Sequence, residues 1–229
     1  MNPLELAKFI DHTILKPEAT AEDIERLCRE AKEYGFAAVC INPHYVRSAA
    51  KFIEGSELKV CGVVGFPLGA TSTSAKGYEA QEQVYSGAQE LDMVMNIGAL
   101  KDKRYEVVRD DIQLVVRSAQ GALVKVIIET CLLTDDEKIT AARIVQEAGA
   151  QFVKTSTGFN KAGATVEDVK LLRRAVGDSF GVKASGGIRD LKTTEALITA
   201  GANRIGTSSG VAIIEEARLN DKRLNHSPR

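Results

Sequence analysis

The sequence predicts an α/β protein, a single-domain (β/α)8 TIM barrel. Three observations lead there: helix-like and strand-like segments alternate from end to end, eight apolar runs suit strands, and helix–strand junctions repeat at a fixed offset. A chain of 229 residues, 44% hydrophobic and 27% charged, has the length and composition to bury one large core. Alternating βα units imply a parallel sheet. Eight of them in so short a chain fit a closed barrel better than a doubly wound sheet.

Taken in order, the strand candidates are 9–15, 37–42, 59–66, 90–96, 123–129, 152–156, 181–185 and 204–208. Helical segments are predicted at about 21–34, 43–54, 73–86, 102–119, 135–148, 165–176 and 191–200. Thr20 caps the first of these, Ile24, Leu27, Cys28, Ala31 and Tyr34 form its apolar stripe, and Gly35 stops it. "TDDE" at 134–137 is a capping-box pattern opening a helix that ends at Gly149. Four junctions, "YGFAAVC", "SGAQELD", "AGAQFVK" and "AGANRIG", place Cys40, Asp92, Lys154 and Gly206 five residues past a glycine, on strands 2, 4, 6 and 8. Alternate strands of a barrel fill one interior layer. Asp92 and Lys154 therefore face each other across an interior in which Gly206 leaves room for a small ligand. No linker or low-complexity tract divides the chain, so residues 1–218 are expected to form the barrel and 219–229 a flexible tail.

Composition excludes several functions. A net charge of −1 carries no nucleic-acid footprint and no basic membrane face. Glu5, Lys8 and Asp11 interrupt the N-terminus before an apolar leader can form, and no apolar run reaches membrane-spanning length. Cysteines 28, 40, 61 and 131 are irregularly spaced, as expected of reduced thiols in a cytoplasmic protein. His12, His44 and His226 have no metal-ligand spacing, so neither a metal nor another cofactor is expected.

"QFVKTSTG" (151–158) sets Lys154 in an apolar strand, and "GVKASGG" sets Lys183 at a matching place on the next strand. A strand lysine usually snorkels to water or pairs with a carboxylate. Two ammonium groups side by side in a narrow barrel disfavour each other's ionisation, and burial adds to that. A neutral amine forms carbinolamines and imines with aldehydes, and Asp92 is placed to move the protons. Three glycine- and hydroxyl-rich ends follow the last strands: "TSTG" with Thr157 and Gly158, "SGG" with Gly186 and Gly187, and "TSSG" with Ser208 and Ser209. Loops after strands 7 and 8 of such barrels, with a helix N-terminus nearby, commonly bind phosphate. Lys161 can add charge at that rim.

These segments, with "DHTILKP", "VVGFPLG", "ELDMVMNIG", "KTSTGF" and "VKASGGIR" in order from Phe9 to about Ile214, resemble the deoxyribose-phosphate aldolase family. The resemblance implies a cytoplasmic class I aldolase of deoxyribose phosphate catabolism. Such an enzyme reversibly cleaves 2-deoxy-D-ribose 5-phosphate to glyceraldehyde 3-phosphate and acetaldehyde through a lysine Schiff base. It puts the Schiff base on Lys154, the second lysine on Lys183 and the proton relay on Asp92. It also brings Asp11, toward Lys183, and Thr13 and Cys40 near the site, while the strand ends read above give the phosphate to Thr157, Gly158, Lys161, Gly186, Gly187, Gly206, Ser208 and Ser209. Two departures stand out. Phe159 follows the "TSTG" glycine where some members have lysine, and no tyrosine occurs after Tyr105, whereas some members end in one that reaches the site. A homo-oligomer, dimer or tetramer, is compatible with the sequence. Three other readings stay open: a transaldolase-like imine barrel, a sugar-phosphate-binding barrel without catalysis, and a pyridoxal phosphate site.

Overall fold

The computed structural model describes residues 1–225. Eight strands close into a barrel in chain order, each neighbouring pair parallel. They are β1 (Ile10–Ile14), β2 (Ala38–Ile41), β3 (Lys59–Val64), β4 (Glu90–Val94), β5 (Leu123–Ile127), β6 (Phe152–Lys154), β7 (Gly181–Ser185) and β8 (Arg204–Thr207). All eight fall inside the runs predicted from sequence.

Ten helices surround the strands: α1 (Pro3–Ala7), α2 (Ala21–Tyr34), α3 (Val46–Phe52), α4 (Thr73–Tyr85), α5 (Ile97–Lys101), α6 (Tyr105–Ser118), α7 (Asp135–Glu147), α8 (Val166–Val176), α9 (Leu191–Thr199) and α10 (Gly210–Asn225). Local chemistry sets their ends. Thr20 and Thr134 close capping boxes with Asp23 and Glu137, and Gly35 ends α2 in the left-handed conformation at φ 70°. Three helices have no counterpart in the sequence reading. α1 and α5 are five residues each, too short to show a period, and are started by Asn2 and Asn96 accepting from backbone N–H groups. α10 corrects the expected tail: residues 219–225 are its last turns, and 226–229 lie outside the described residues. The residues it packs on the core, Val211, Ile213, Ile214 and Ala217, lie in the first half, so the mostly polar second half read as unstructured.

Strand alternation divides the side chains into two sets. Outward residues such as Leu91, Met93, Val124, Val126, Val153, Val182 and Ile205 are buried under the helices and form the main hydrophobic core. His12, also outward from β1, bonds Glu30 of α2 at 2.8 Å, and burial pulls its imidazole below the ordinary value. A smaller apolar cluster of Leu15, Ala38, Cys40, Cys61 and Val63 lines part of the inside. Phe152 plugs the barrel where Gly181 has no side chain: a Cβ there would lie 2.4 Å from the ring. The rest of the interior is ionic, a departure from the apolar layers that usually fill such barrels.

Candidate active site

Seven charged side chains share that interior: Asp11, Glu90, Asp92, Lys125, Lys154, Lys183 and Arg204. Asp92 is the hub. Its Oδ2 accepts from Lys154 Nζ at 2.7 Å and from Lys183 Nζ at 2.6 Å, and its Oδ1 accepts from Lys125 Nζ at 2.8 Å. Lys183 also reaches Asp11 at 2.5 Å, Lys125 reaches Glu90 at 2.7 Å, and Arg204 bridges Asp11 and Glu90. Strand register builds this directly, since Asp92 is paired with Lys125, Lys154 with Lys183 and Lys183 with Arg204.

Three carboxylates thus face four basic groups. Burial pushes the Asp92 carboxyl up, but Lys125, Lys154 and Lys183 together outweigh it and hold it well below the usual carboxylate range. Asp11 is lowered in the same way, burial being overcome by Lys183, Arg204 and Lys125. Burial alone would lower Lys183, but Asp11 and Asp92 raise it above the ordinary lysine value. Lys125 is raised likewise against burial, chiefly by Asp92. Both carboxyls have folded values below their unfolded values near 3.9, so their stabilisation is fully present above about pH 4. It is lost only as pH falls through the depressed folded values. In a carbon NMR titration, the Asp11 and Asp92 carboxyl signals are expected to hold their ionised positions down to about pH 3. A midpoint at 4 or above contradicts this electrostatic picture.

A cavity of about 400 Å3 opens where β1, β6, β7 and β8 end, the end at which such barrels carry their chemistry. Of the four interior basic groups, only Lys154 lines it. The mouth is made by Thr157, Gly158 and Phe159 after β6, by Gly186 to Arg189 after β7, and by Thr207 and Ser208 at the end of β8. Gly186 and Gly187 have φ of 90° and 77°, a conformation that favours glycine and brings backbone to the rim. Lys16 and Arg189 stand on the lining without an ion-pair partner among the described residues, and no described lining residue is acidic. The cavity suits a small anion-bearing molecule with a carbonyl group near Lys154.

The profile of the family described as DeoC/LacD family aldolase matches residues 6–216. This chain belongs to that family. The aldolase is 59% identical over 216 residues to the deoxyribose-phosphate aldolase of Clostridium tetani, covering 94% of this chain and 100% of that protein. It is 58% identical over 212 residues to the Streptococcus gordonii protein of that name, covering 93% and 96%. The tetrameric deoxyribose phosphate aldolase structure from Aeropyrum pernix superposes with a TM-score of 0.89 at 38% identity, over 95% of this chain and 92% of that one.

Within the aldolase, the residues singled out in the sequence divide into three groups. Asp92, Lys154, Lys183 and Asp11 meet in one cluster, and Cys40 Sγ lies 3.9 Å from Asp92. Thr13, Thr157, Gly158, Gly186, Gly187, Gly206 and Ser208 line the cavity. Ser209 and Lys161 do not; the Ser209 N–H is spent on Thr207 Oγ1 at 2.9 Å, and Lys161 is exposed beyond the turn. Gly206 borders the cavity on one side and is closely packed on the other, where a Cβ would meet Ser185 Cβ at 3.0 Å and Lys183 Cε at 3.2 Å. Sequence reasoning missed Lys125, Arg204, Lys16 and Arg189. The signal for Lys125 was available, since "LVKVI" sets a lysine in an apolar strand just as "FVK" does. Cys40, Cys61 and Asp92 offer three ligand atoms within 4.8 Å of one another, but three lysine nitrogens already bond Asp92, and charged Lys125 and Lys183 oppose a cation there.

Proposed function

We propose that this aldolase reversibly cleaves 2-deoxy-D-ribose 5-phosphate to glyceraldehyde 3-phosphate and acetaldehyde through an imine at Lys154. The observation that carries the reading is that Lys154 alone, of four interior bases, adjoins the anion-favouring cavity while its nitrogen touches the buried Asp92. The high identity to proteins named deoxyribose-phosphate aldolase supports the choice of substrate.

The steps follow from this geometry. The neutral Lys154 amine adds to the aldehyde carbon C1, giving a carbinolamine that loses water to become an iminium. Asp92, through water, takes the C3 hydroxyl proton, which it later returns to C2; the C2–C3 bond breaks, and its electron pair flows toward the iminium nitrogen. Glyceraldehyde 3-phosphate leaves and an enamine remains. Protonation at C2 and hydrolysis then release acetaldehyde and restore the amine. Asp92, with its second oxygen held by Lys125, moves protons at the nitrogen directly or through water. Lys183, kept charged by Asp11 and Asp92, shares Asp92 Oδ2 with Lys154 and is a fixed positive charge beside the reacting nitrogen.

The phosphate is held by glycine backbone at 186–187, by Ser208 before α10, and by Arg189 in place of the lysine that Phe159 displaces. Phe159 instead packs edge-on against Phe66, with centroids 5.4 Å apart. Arg189→Ala is expected to raise KM for the phosphorylated sugar by roughly tenfold or more, the value of a charge-assisted contact. Lys161→Ala should leave it nearly unchanged. Equal effects of the two substitutions contradict this assignment. The reading as a whole is tested by incubating the protein with deoxyribose 5-phosphate and measuring acetaldehyde; no release overturns it.

A homo-oligomer is supported by the tetrameric description of the Aeropyrum pernix relative. Tyr78 and Tyr85 of α4, both strongly exposed, suit such a contact. No helix among the described residues is long and apolar enough to cross a membrane. The cytoplasmic location is carried by the reduced-thiol pattern in the sequence.

A further inference from the structure

We propose that Glu129 is a positioning residue that sets the preference for a phosphorylated substrate by holding the Thr157–Gly158 turn at the cavity mouth. The inference rests on reading that mouth as a phosphate site. Glu129 follows β5 in a left-handed conformation, φ 54° and ψ 68°, which a residue with a Cβ rarely adopts. Such conformations persist where surrounding contacts hold them, often at functional sites. Its side chain is buried, at 2% exposure, and no lysine, arginine or histidine pairs with it among the described residues. A buried carboxylate without a cation needs hydrogen bonds. Here they come from Thr157: the hydroxyl donates to Oε2 at 2.5 Å, and the backbone N–H lies 3.3 and 3.4 Å from the two oxygens.

The backbone on either side explains the placement. Ile128 N–H donates to Lys154 O at 3.0 Å and Thr130 N–H to Thr155 O at 2.9 Å, extending the β5–β6 ladder past the last strand residue. Between them the left-handed kink aims Glu129 at Thr157, where ladder pairing has run out. Thr157 Oγ1 in turn accepts the Phe159 N–H at 3.1 Å, so one carboxylate orders residues 157 to 159. All three line the cavity, and Gly158 packs against Gly186 across the mouth. With phenylalanine after Gly158, this turn has no lysine side chain to reach an anion, and its contribution depends on backbone placement.

The test compares kcat/KM for deoxyribose 5-phosphate with that for free deoxyribose in Glu129→Ala and Glu129→Gln. Glu129→Ala is expected to lower the phosphorylated-to-free ratio by roughly tenfold, the cost of misplaced hydrogen-bond donors. Activity on free deoxyribose should change far less. Glu129→Gln, whose amide oxygen still accepts from Thr157, should recover most of the ratio. Where Glu129→Ala does not fold, Glu129→Asp keeps a carboxylate but is one methylene too short, and the same loss is expected. A wild-type protein that prefers the phosphorylated sugar, with variants that keep that preference or lose both activities equally, overturns the inference alone. A wild-type protein indifferent to the phosphate overturns the phosphate reading, and this inference with it.

Discussion

Replacing Lys154 by leucine is expected to abolish cleavage of deoxyribose 5-phosphate while leaving the fold as stable as before. Among the described residues the amine is the only one of the interior lysines on the cavity, so its loss removes the covalent path, a drop of roughly 10^4-fold or more. Stability should barely move, because the cluster carries four bases against three carboxylates. Without Lys154, Asp92 keeps Lys125 and Lys183 as partners at 2.8 and 2.6 Å. Trading a buried ionic-cluster residue for an apolar side chain of similar volume is commonly neutral or favourable. The urea midpoint of Lys154→Leu should therefore match the wild type within about 1 kcal/mol of stability. Retained turnover, or a large loss of stability, contradicts this role.

Asp92→Asn should do the reverse and damage both properties. The substitution leaves Lys125, Lys154 and Lys183 around a neutral amide, so three buried lysine nitrogens lose their shared counter-charge. Breaking a buried pair from one side typically costs ~3–5 kcal/mol, and this site stands at the upper end of that range. Protein that still folds should lose a further ~10^2 to 10^4-fold in turnover, as proton transfer at the Lys154 nitrogen loses its base. Adding Lys125→Met to Asp92→Asn removes one stranded cation and should return part of the stability, but none of the activity. Denaturant titrations of the single and double variants decide the point. A double variant no more stable than Asp92→Asn contradicts the charge balance.

Three lysines bind Asp92, and the contrast between Lys183 and Lys125 shows how far sequence alone could go. Capped helices and apolar runs made all eight strands legible, because each is a local pattern. The five-residue offset after Gly87 and Gly149 put Asp92 and Lys154 in contact, and matching placement on the next strand brought Lys183 in. Lys125 escaped because the offset repeat covers only even strands, although its strand pairs it directly with Asp92. The charge balance depends on it, and so the count that singles out Lys154 needed the structure. Arg189 and Lys16 are loop residues whose approach to the cavity is set by barrel closure between β1, β7 and β8, for which no local pattern exists. Glu129 is harder still, since neither its left-handed backbone nor its reach to Thr157 leaves a trace in composition or period. Short helices such as α1 and α5 fall below the length at which a period can be seen.

The central claim is that Lys154, and not its neighbours Lys125 or Lys183, forms the imine. Acetaldehyde followed by borohydride reduction, proteolysis and mass mapping tests it most directly. A reduced two-carbon unit on Lys154, absent from Lys154→Leu, is the predicted result. An adduct on Lys183 or Lys125, or an undiminished adduct in Lys154→Leu, would contradict it.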